Sequence, residues 1–161
     1  MAIEPGKSAW NIGVISDTHG LIRPEALAAL NGSQLILHAG DIGRPEVLEA
    51  LRRIAPVIAV RGNVDRGLWA ESLPEYETVR AGPFSLYLLH SLRELNPDPA
   101  AARFAAVVSG HSHRPEMERK GRVLYFNPGS AGPRRFRLPV AVGRLMVQAG
   151  RLQGEIVELR V

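Results

Sequence analysis

The chain predicts an α/β fold built on two sheets rather than on one doubly wound sheet. As far as Val60, short apolar runs alternate with helix-like segments opened by proline, the pattern of parallel βαβ units. Beyond that point the runs are separated by Gly-containing turns at Gly82, Gly121 and Gly150, the pattern of β-hairpins. No linker or low-complexity segment divides the 161 residues, so one domain over residues 1–161 is expected.

Trp10–Ser16 is an apolar run ending in a small polar residue and reads as a buried strand. Pro24–Leu30 and Pro45–Arg53 read as helices with proline at the first position, where its missing N–H is not needed. Their openings, Arg23-Pro24-Glu25-Ala26-Leu27 and Arg44-Pro45-Glu46-Val47-Leu48, are alike but too short to be a repeat. Leu35–His38 and Val57–Val60 complete the alternation as strands. Tyr76–Arg80 and Phe84–His90 flank an Ala81-Gly82-Pro83 turn, and Pro99–Ala105 reads as a short helix before the strand Ala106–Ser109. Glu116–Arg119, Val123–Phe126, Pro139–Val147 and Leu152–Leu159 are the remaining strands.

Hydrophobic residues at 45% and charged residues at 22% describe an ordinary globular chain and argue against disorder. No apolar stretch reaches the length needed to span a bilayer, and Met1 to Ala9, with Pro5, Gly6 and Lys7, lacks the apolar core of a secretory leader. The absence of cysteine excludes disulfides, thiolate metal sites and cysteine nucleophiles, and a cytoplasmic setting is expected. Of the 20 cations 18 are Arg, spread along the chain, and the net charge is only +4. Arg134, Arg135 and Arg137 form the one cluster, too small for a nucleic-acid surface, and aromatics at 6% offer no stacking platform for a single strand.

Five histidines, His19, His38, His90, His111 and His113, each fall at or just past the C-terminal end of a predicted strand. Those ends form the crevice where ligands bind in parallel-type sheets. Asp17, Asp41, Asn63 and Asp65 fall in the same class of position. Singly, each has an ordinary role: an Asp caps a helix, a His is hydrogen-bonded in the core, and Gly62-Asn63 makes a turn. Together they point to a metal site. Asp17/His19 and His111/His113 are i, i+2 pairs, which share a face in extended chain, so each pair either chelates one ion or straddles two. Imidazole, carboxylate and amide oxygen suit Mn, Fe, Zn, Ni or Co better than calcium. Gly40, Gly62 and Gly110 precede candidate ligands, where tight turns favour glycine.

The ordered set Asp17-Thr18-His19, Gly40-Asp41, Gly62-Asn63, His90 and Gly110-His111-Ser112-His113 resembles the calcineurin-like metallophosphoesterase superfamily. His38-Ala39-Gly40-Asp41 and Asn127-Pro128-Gly129-Ser130 resemble its small bacterial and archaeal phosphodiesterase branch. The resemblance covers residues 16–130, and beyond them rests on length and hairpin texture alone. It implies a four-layer α-β-β-α sandwich of two mixed sheets with helices outside. It also implies two divalent transition-metal ions, Mn²⁺ favoured, with Ni²⁺, Fe²⁺, Zn²⁺ or Co²⁺ as alternatives. Asp17, His19 and His113 would hold the first, and Asn63, His90 and His111 the second, with Asp41 shared between them. A hydroxide bridging the two ions would attack phosphorus, so that Asp41, Asn63 and His90 carry catalysis through the metals.

Two positions depart from the family pattern. A His that protonates the leaving oxygen often follows Gly-Asn in this superfamily, and here that position is Val64. Asp65 is the nearest titratable substitute, with capping of the turn as its simpler role. The family also favours Gly after the strand-end His, where this chain has Ser91. Around the ligands, His38 is expected either to orient a ligand carboxylate or to sit satisfied in the core. Arg44, Arg66 and Arg114 either grip a substrate phosphate or remain solvated loop residues, and Arg134, Arg135 and Arg137 follow the Asn127–Ser130 loop toward the same site.

The expected function is hydrolysis of a small-molecule phosphate diester, with no membrane partner and with homo-oligomerisation left open. The alternatives are a non-catalytic protein-binding scaffold, as in the retromer-subunit branch of the fold, a nuclease, or a phosphomonoesterase. A complete set of seven candidate ligands favours catalysis over the scaffold.

Overall fold

The structure, a computed structural model, describes residues 9–161. The opening polar stretch apart from Ala9 lies outside the described residues. Ten strands and three short helices follow in the order β1 (Trp10–Ile15), α1 (Pro24–Leu30), β2 (Leu35–His38), α2 (Pro45–Arg52), β3 (Val57–Ala59), α3 (Leu68–Glu71), β4 (Tyr76–Ala81), β5 (Phe84–Leu89), β6 (Ala106–Val108), β7 (Glu116–Lys120), β8 (Val123–Asn127), β9 (Ala141–Gln148) and β10 (Arg151–Glu158). One sheet has the order β10-β9-β1-β2-β3, the other β4-β5-β6-β8-β7. Every strand lies within two residues of its expected bounds.

Each sheet mixes a run of three parallel strands with antiparallel neighbours. In the first, β1, β2 and β3 are parallel, and the β9–β10 hairpin adds to β1 antiparallel. In the second, β5, β6 and β8 are parallel, with β4 and β7 antiparallel at the edges. The second half is therefore more than the hairpins expected of it. Crossovers from β5 to β6 and from β6 to β8 use turns and a hairpin in place of helices, and so carry no helical periodicity to read.

Two-residue alternation sets the layers. Ile12, Val14, Leu35 and Leu37 face inward against Leu86, Leu88, Val108 and Phe126 of the second sheet, making the main core. Ile15, Ile36 and Ile42 face outward under Ala26 and Leu30 of α1, Val47, Leu48 and Leu51 of α2, and Trp69 of α3. Because β2 is covered on both faces, it reads as an unbroken apolar run. Each such side chain stabilises the fold by about 1.5–3 kcal/mol when fully buried. Phe126, 1% exposed, fits between the sheets because Gly143 and Gly154 lack a Cβ: one built there would lie 2.5 and 2.8 Å from its ring.

The outer face of the second sheet, Tyr87, Leu89 and Val107, is covered by Leu95 and Phe104. The helix expected over Pro99–Ala105 is absent. That segment is a set of turns with Ala102 N–H on the Asp98 carbonyl and Phe104 N–H on that of Pro99, ended by left-handed Arg103. Left-handed Arg103 falls inside the expected span and stops it after a single turn. All three α-helices thus pack on the first sheet. Helix α3 and the 3₁₀ turn Leu92–Glu94, of four and three residues, are too short for a periodic signal. Among the described residues no helix is long and apolar enough to cross a membrane.

Candidate metal centre

The C-terminal ends of β1, β2, β3, β5 and β6 converge on one edge of the sandwich, and the loops leaving them carry the candidate ligands. Backbone conformation there is unusual. Among the described residues eight non-glycines have left-handed φ, and five of them are Asp17, His19, Asp41, His111 and His113. Strain of this kind costs on the order of 1–3 kcal/mol per residue and gathers at functional sites. The i, i+2 pairs are therefore not extended: Asp17 and His19 still meet in one group, whereas His111 and His113 part. His111 turns toward Asp41 and His90, while His113 joins Asp17 and His19.

Two groups of ligand atoms result, each within 4.8 Å of one another: Asp17, His19 and His113 in one, Asp41, His90 and His111 in the other. In the first, Asp17 Oδ1 lies 3.4 Å from His113 Nε2 and 3.9 Å from His19 Nε2. In the second, Asn63 Oδ1, His111 Nδ1 and Asp41 Oδ2 lie 3.0, 3.2 and 3.3 Å from His90 Nε2. Asp41 Oδ2 is also 3.7 Å from His19 Nε2, so one carboxylate oxygen touches both groups.

These donors fit a cation. Asp17 Oδ1 is buried without a hydrogen-bond partner, a costly state for a carboxylate oxygen unless a positive charge meets it. His90 Nδ1 donates to the Ala39 carbonyl at 2.7 Å, which leaves the Nε2 lone pair aimed at the oxygens of Asn63 and Asp41. Lone pairs facing one another repel unless a proton or a metal lies between them.

The protonation preferences follow from the same charges. Burial works to raise the Asp17 pKa, but contacts with His113 and the Ser16 hydroxyl, and the charges of His90 and His113, hold it below its ordinary value. Burial likewise works to raise Asp41, and His90, the Val64 N–H and the His19 charge bring it down. Burial lowers His19, as do the His113 and Arg135 charges, and Asp41 and Asp17 only partly oppose them. Burial also works to lower His90, yet its bond to Asp41, the charges of Asp17 and Asp41 and the Ala39 carbonyl leave it raised.

A framework of buried bonds fixes the ligand loops. The Ser16 hydroxyl donates to Asp17 Oδ2 at 2.6 Å and the His111 N–H to the same oxygen at 3.0 Å. Sequence reasoning gave Ser16 no role; its place beside Asp17 was the one signal. Asp65 is a buried tie: its carboxylate accepts N–H groups of Gly43, Ile42 and Gly62 at 2.9, 3.2 and 2.8 Å, joining the loops that carry Asp41 and Asn63. Among the described residues His38 bonds to no carboxylate. Its Nδ1 accepts from Gly40 N–H and its Nε2 donates to Thr18 Oγ1 at 3.0 Å, the Thr18 hydroxyl donating in turn to the Ile42 carbonyl.

Gly62 and Gly110 are required for space rather than for φ, which is not left-handed at either. A Cβ at Gly62 would lie 2.2 Å from Asp41 Oδ1, and one at Gly110 1.9 Å from Ser16 Oγ. Gly40 does have φ +98°. Ser91, at φ −123°, is in extended backbone open to any residue, and its hydroxyl accepts the Arg93 N–H to start the 3₁₀ turn.

The arginines divide. Arg44 is committed to the Gly20 carbonyl, with Nη2 at 2.6 Å. Arg66 lines a cavity of about 250 Å³ together with Asn63, His90 and Glu94. Arg114 is exposed beyond His113. Val64 is 40% exposed, and its N–H donates to Asp41 Oδ1 at 3.1 Å.

Known proteins resemble the chain in sequence and in fold. A "Probable metallophosphoesterase" of Methanothermobacter thermautotrophicus is 34% identical over 158 residues, 91% of either chain. "Phosphodiesterase YfcE" of Escherichia coli K12 is 30% identical, covering 81% of this chain and 84% of its own. In fold, Vacuolar Protein Sorting 29 of Cryptosporidium parvum matches with a TM-score of 0.76 at 20% identity, over 94% of this chain and 98% of that one. The family model for the calcineurin-like phosphoesterase superfamily domain matches residues 10–150, and the chain belongs to that superfamily.

Proposed function

We propose that residues 1–161 form a single metal-dependent phosphodiesterase domain that hydrolyses a small-molecule phosphate ester in the cytoplasm with two divalent ions, Mn²⁺ favoured. Asp17, His19 and His113 hold one ion, and Asn63, His90 and His111 the other. Asp41 is shared. The observation that carries this reading is the Asp41 Oδ2 atom, 3.7 Å from His19 Nε2 and 3.3 Å from His90 Nε2, between two groups of ligand atoms. Ions bound there supply Lewis acidity toward a phosphoryl oxygen and lower the pKa of water at the site.

The chain's own residues prepare that chemistry. Asp17 and Asp41, ionised at neutral pH, concentrate negative charge where cations bind. The Ala39 carbonyl fixes the His90 tautomer with Nε2 toward Asp41 and Asn63. The Val64 N–H orients the shared carboxylate. Val64 has no proton to give, and both Asp65 oxygens already accept backbone N–H groups. Esters whose leaving group departs as a stable anion are therefore the better substrates.

The test is hydrolysis of bis(p-nitrophenyl) phosphate by metal-stripped protein, with and without Mn²⁺. Its leaving group needs no acid, so Val64 does not mask the chemistry. Saturable, Mn²⁺-dependent turnover is expected. No turnover with Mn²⁺, Ni²⁺ or Zn²⁺ would overturn the reading in favour of a protein-binding scaffold on this fold.

A further inference from the structure

The loop after β8 is bound to the metal centre at its base. Ser130 Oγ donates to the Asp17 carbonyl, and Ala131 N–H to the Ser16 carbonyl, both at 3.0 Å. Gly132 then presses on the same backbone: a Cβ there would lie 2.4 Å from the Asp17 carbonyl oxygen and 2.5 Å from that of Thr18. Arg23 Nη2 holds the Gly132 carbonyl at 3.2 Å. From this anchor the chain makes a turn closed by the Leu138 N–H on the Arg135 carbonyl at 3.1 Å.

Phe136 occupies the first central position of that turn with φ +53° and is 93% exposed. Both facts work against a phenylalanine. Left-handed backbone at a turn favours Gly, Asn or Asp, and a bulky side chain there is an outlier. A free aromatic face also gains nothing from burial. Folding does not explain the residue, and strain of this kind points to a ligand.

Its neighbours name the ligand's chemistry. The side chains of Arg135 and Arg137 make no hydrogen bond or ion pair among the described residues. Ser130, Ala131 and Gly132 hold the loop against the Ser16–Thr18 backbone, so the turn begins three residues beyond an anchor on the Asp17 group. A planar guanidinium grips phosphate, and an exposed aromatic ring stacks a planar one.

We propose that the Arg135–Phe136 turn is a substrate subsite that stacks a nucleobase on Phe136 while Arg135 holds the adjoining phosphate, making the substrate class a nucleotide ester. This rests on the phosphodiesterase reading for the hydrolytic step alone. One exposed ring serves a single nucleotide, in keeping with the sparse aromatics and the +4 charge that argue against a polymer.

The experiment is calorimetric titration of AMP and of ribose 5-phosphate, which lacks the base, into wild-type protein in Mn²⁺ buffer. AMP binds about tenfold more tightly, Phe136→Ser abolishes that preference, and Phe136→Trp keeps it. Equal affinity of the wild type for the two, or binding of neither, overturns the subsite. In parallel, thymidine 5′-(p-nitrophenyl) phosphate is compared with methyl p-nitrophenyl phosphate, which shares its leaving group. Turnover of both with equal kcat/KM overturns the subsite and leaves the phosphodiesterase reading standing. An AMP preference without turnover of either ester supports the subsite and overturns the hydrolytic reading.

Discussion

His38 and Thr18 are joined by a buried hydrogen bond, Nε2 to Oγ1 at 3.0 Å, that ties the loop of Asp17 and His19 to the loop of Asp41. The Thr18 hydroxyl spends its proton on the Ile42 carbonyl, so His38 must donate from Nε2 and accept at Nδ1. Only the neutral ring does both. Burial pushes its pKa down to about 3, with the His90 and His19 charges assisting and the carboxylates of Asp17 and Asp41 opposing.

That depression sets a pH dependence. Between about 6.5 and about 3 the unfolded chain binds a proton at His38 that the folded chain does not. Stability is therefore complete above pH 6.5 and falls with acidification, by about 1.4 kcal/mol per pH unit from this group. Urea unfolding at pH 7 and pH 5 should show a smaller difference for His38→Asn than for wild type. An identical difference in the two proteins would mean that His38 is protonated in the fold.

Asp65 makes a second tie, and Asp65→Asn tests it. Asn has one acceptor oxygen where the carboxylate has two, and its amide must face a backbone N–H. At least one of Gly43, Ile42 and Gly62 then loses its partner, costing about 1–3 kcal/mol. Because these loops position Asp41 and Asn63, Mn²⁺ affinity by calorimetry should fall about 10–100-fold. Wild-type affinity in a destabilised variant would confine Asp65 to holding the turn.

Asp41→Asn removes the charge common to both groups of donors. Turnover of bis(p-nitrophenyl) phosphate should fall by a factor of about 100 or more. Metal analysis should show fewer than two ions per chain. Full turnover with both ions bound would end the assignment of Asp41 as the shared ligand.

The sequence made the ligands legible because their chemistry is distinctive and apolar runs locate the strand ends that carry them. Asp17, His19, Asp41, Asn63, His90, His111 and His113 do converge. What it hid depends on backbone geometry and through-space contact. Left-handed φ at His111 and His113 divides a pair that extended chain would keep together. Glycine at positions 62 and 110 answers to oxygens far away in sequence, on Asp41 and Ser16. Crossovers without helices hid the parallel centre of the second sheet, and no composition shows that Phe136 stands free.

Gly110→Ala puts a methyl group where Ser16 Oγ and Asp17 Oδ2 already lie, 1.9 and 2.6 Å away. Overpacking of this kind costs about 1–3 kcal/mol. The displaced groups hold Asp17, so the variant should lose metal as well as stability. A thermal melt in chelator reads the packing cost alone, and calorimetry with Mn²⁺ reads the ligand displacement. Wild-type behaviour in both would mean that β6 shifts to make room.

Val64→His supplies the proton donor that this chain lacks. A histidine at this position keeps the backbone N–H on Asp41 Oδ1, and at 40% exposure a larger ring meets solvent rather than core. General acids contribute about 10²–10⁴-fold when the leaving group is basic and little when it departs as a stable anion. The variant should therefore raise kcat/KM for a dialkyl phosphate, while bis(p-nitrophenyl) phosphate changes little. Its pH profile should gain a limb that falls as the new imidazolium loses its proton, near pH 6.5 for an unperturbed ring. Equal rates for both proteins on the alkyl ester would mean that the proton already comes from water or from another group at the centre.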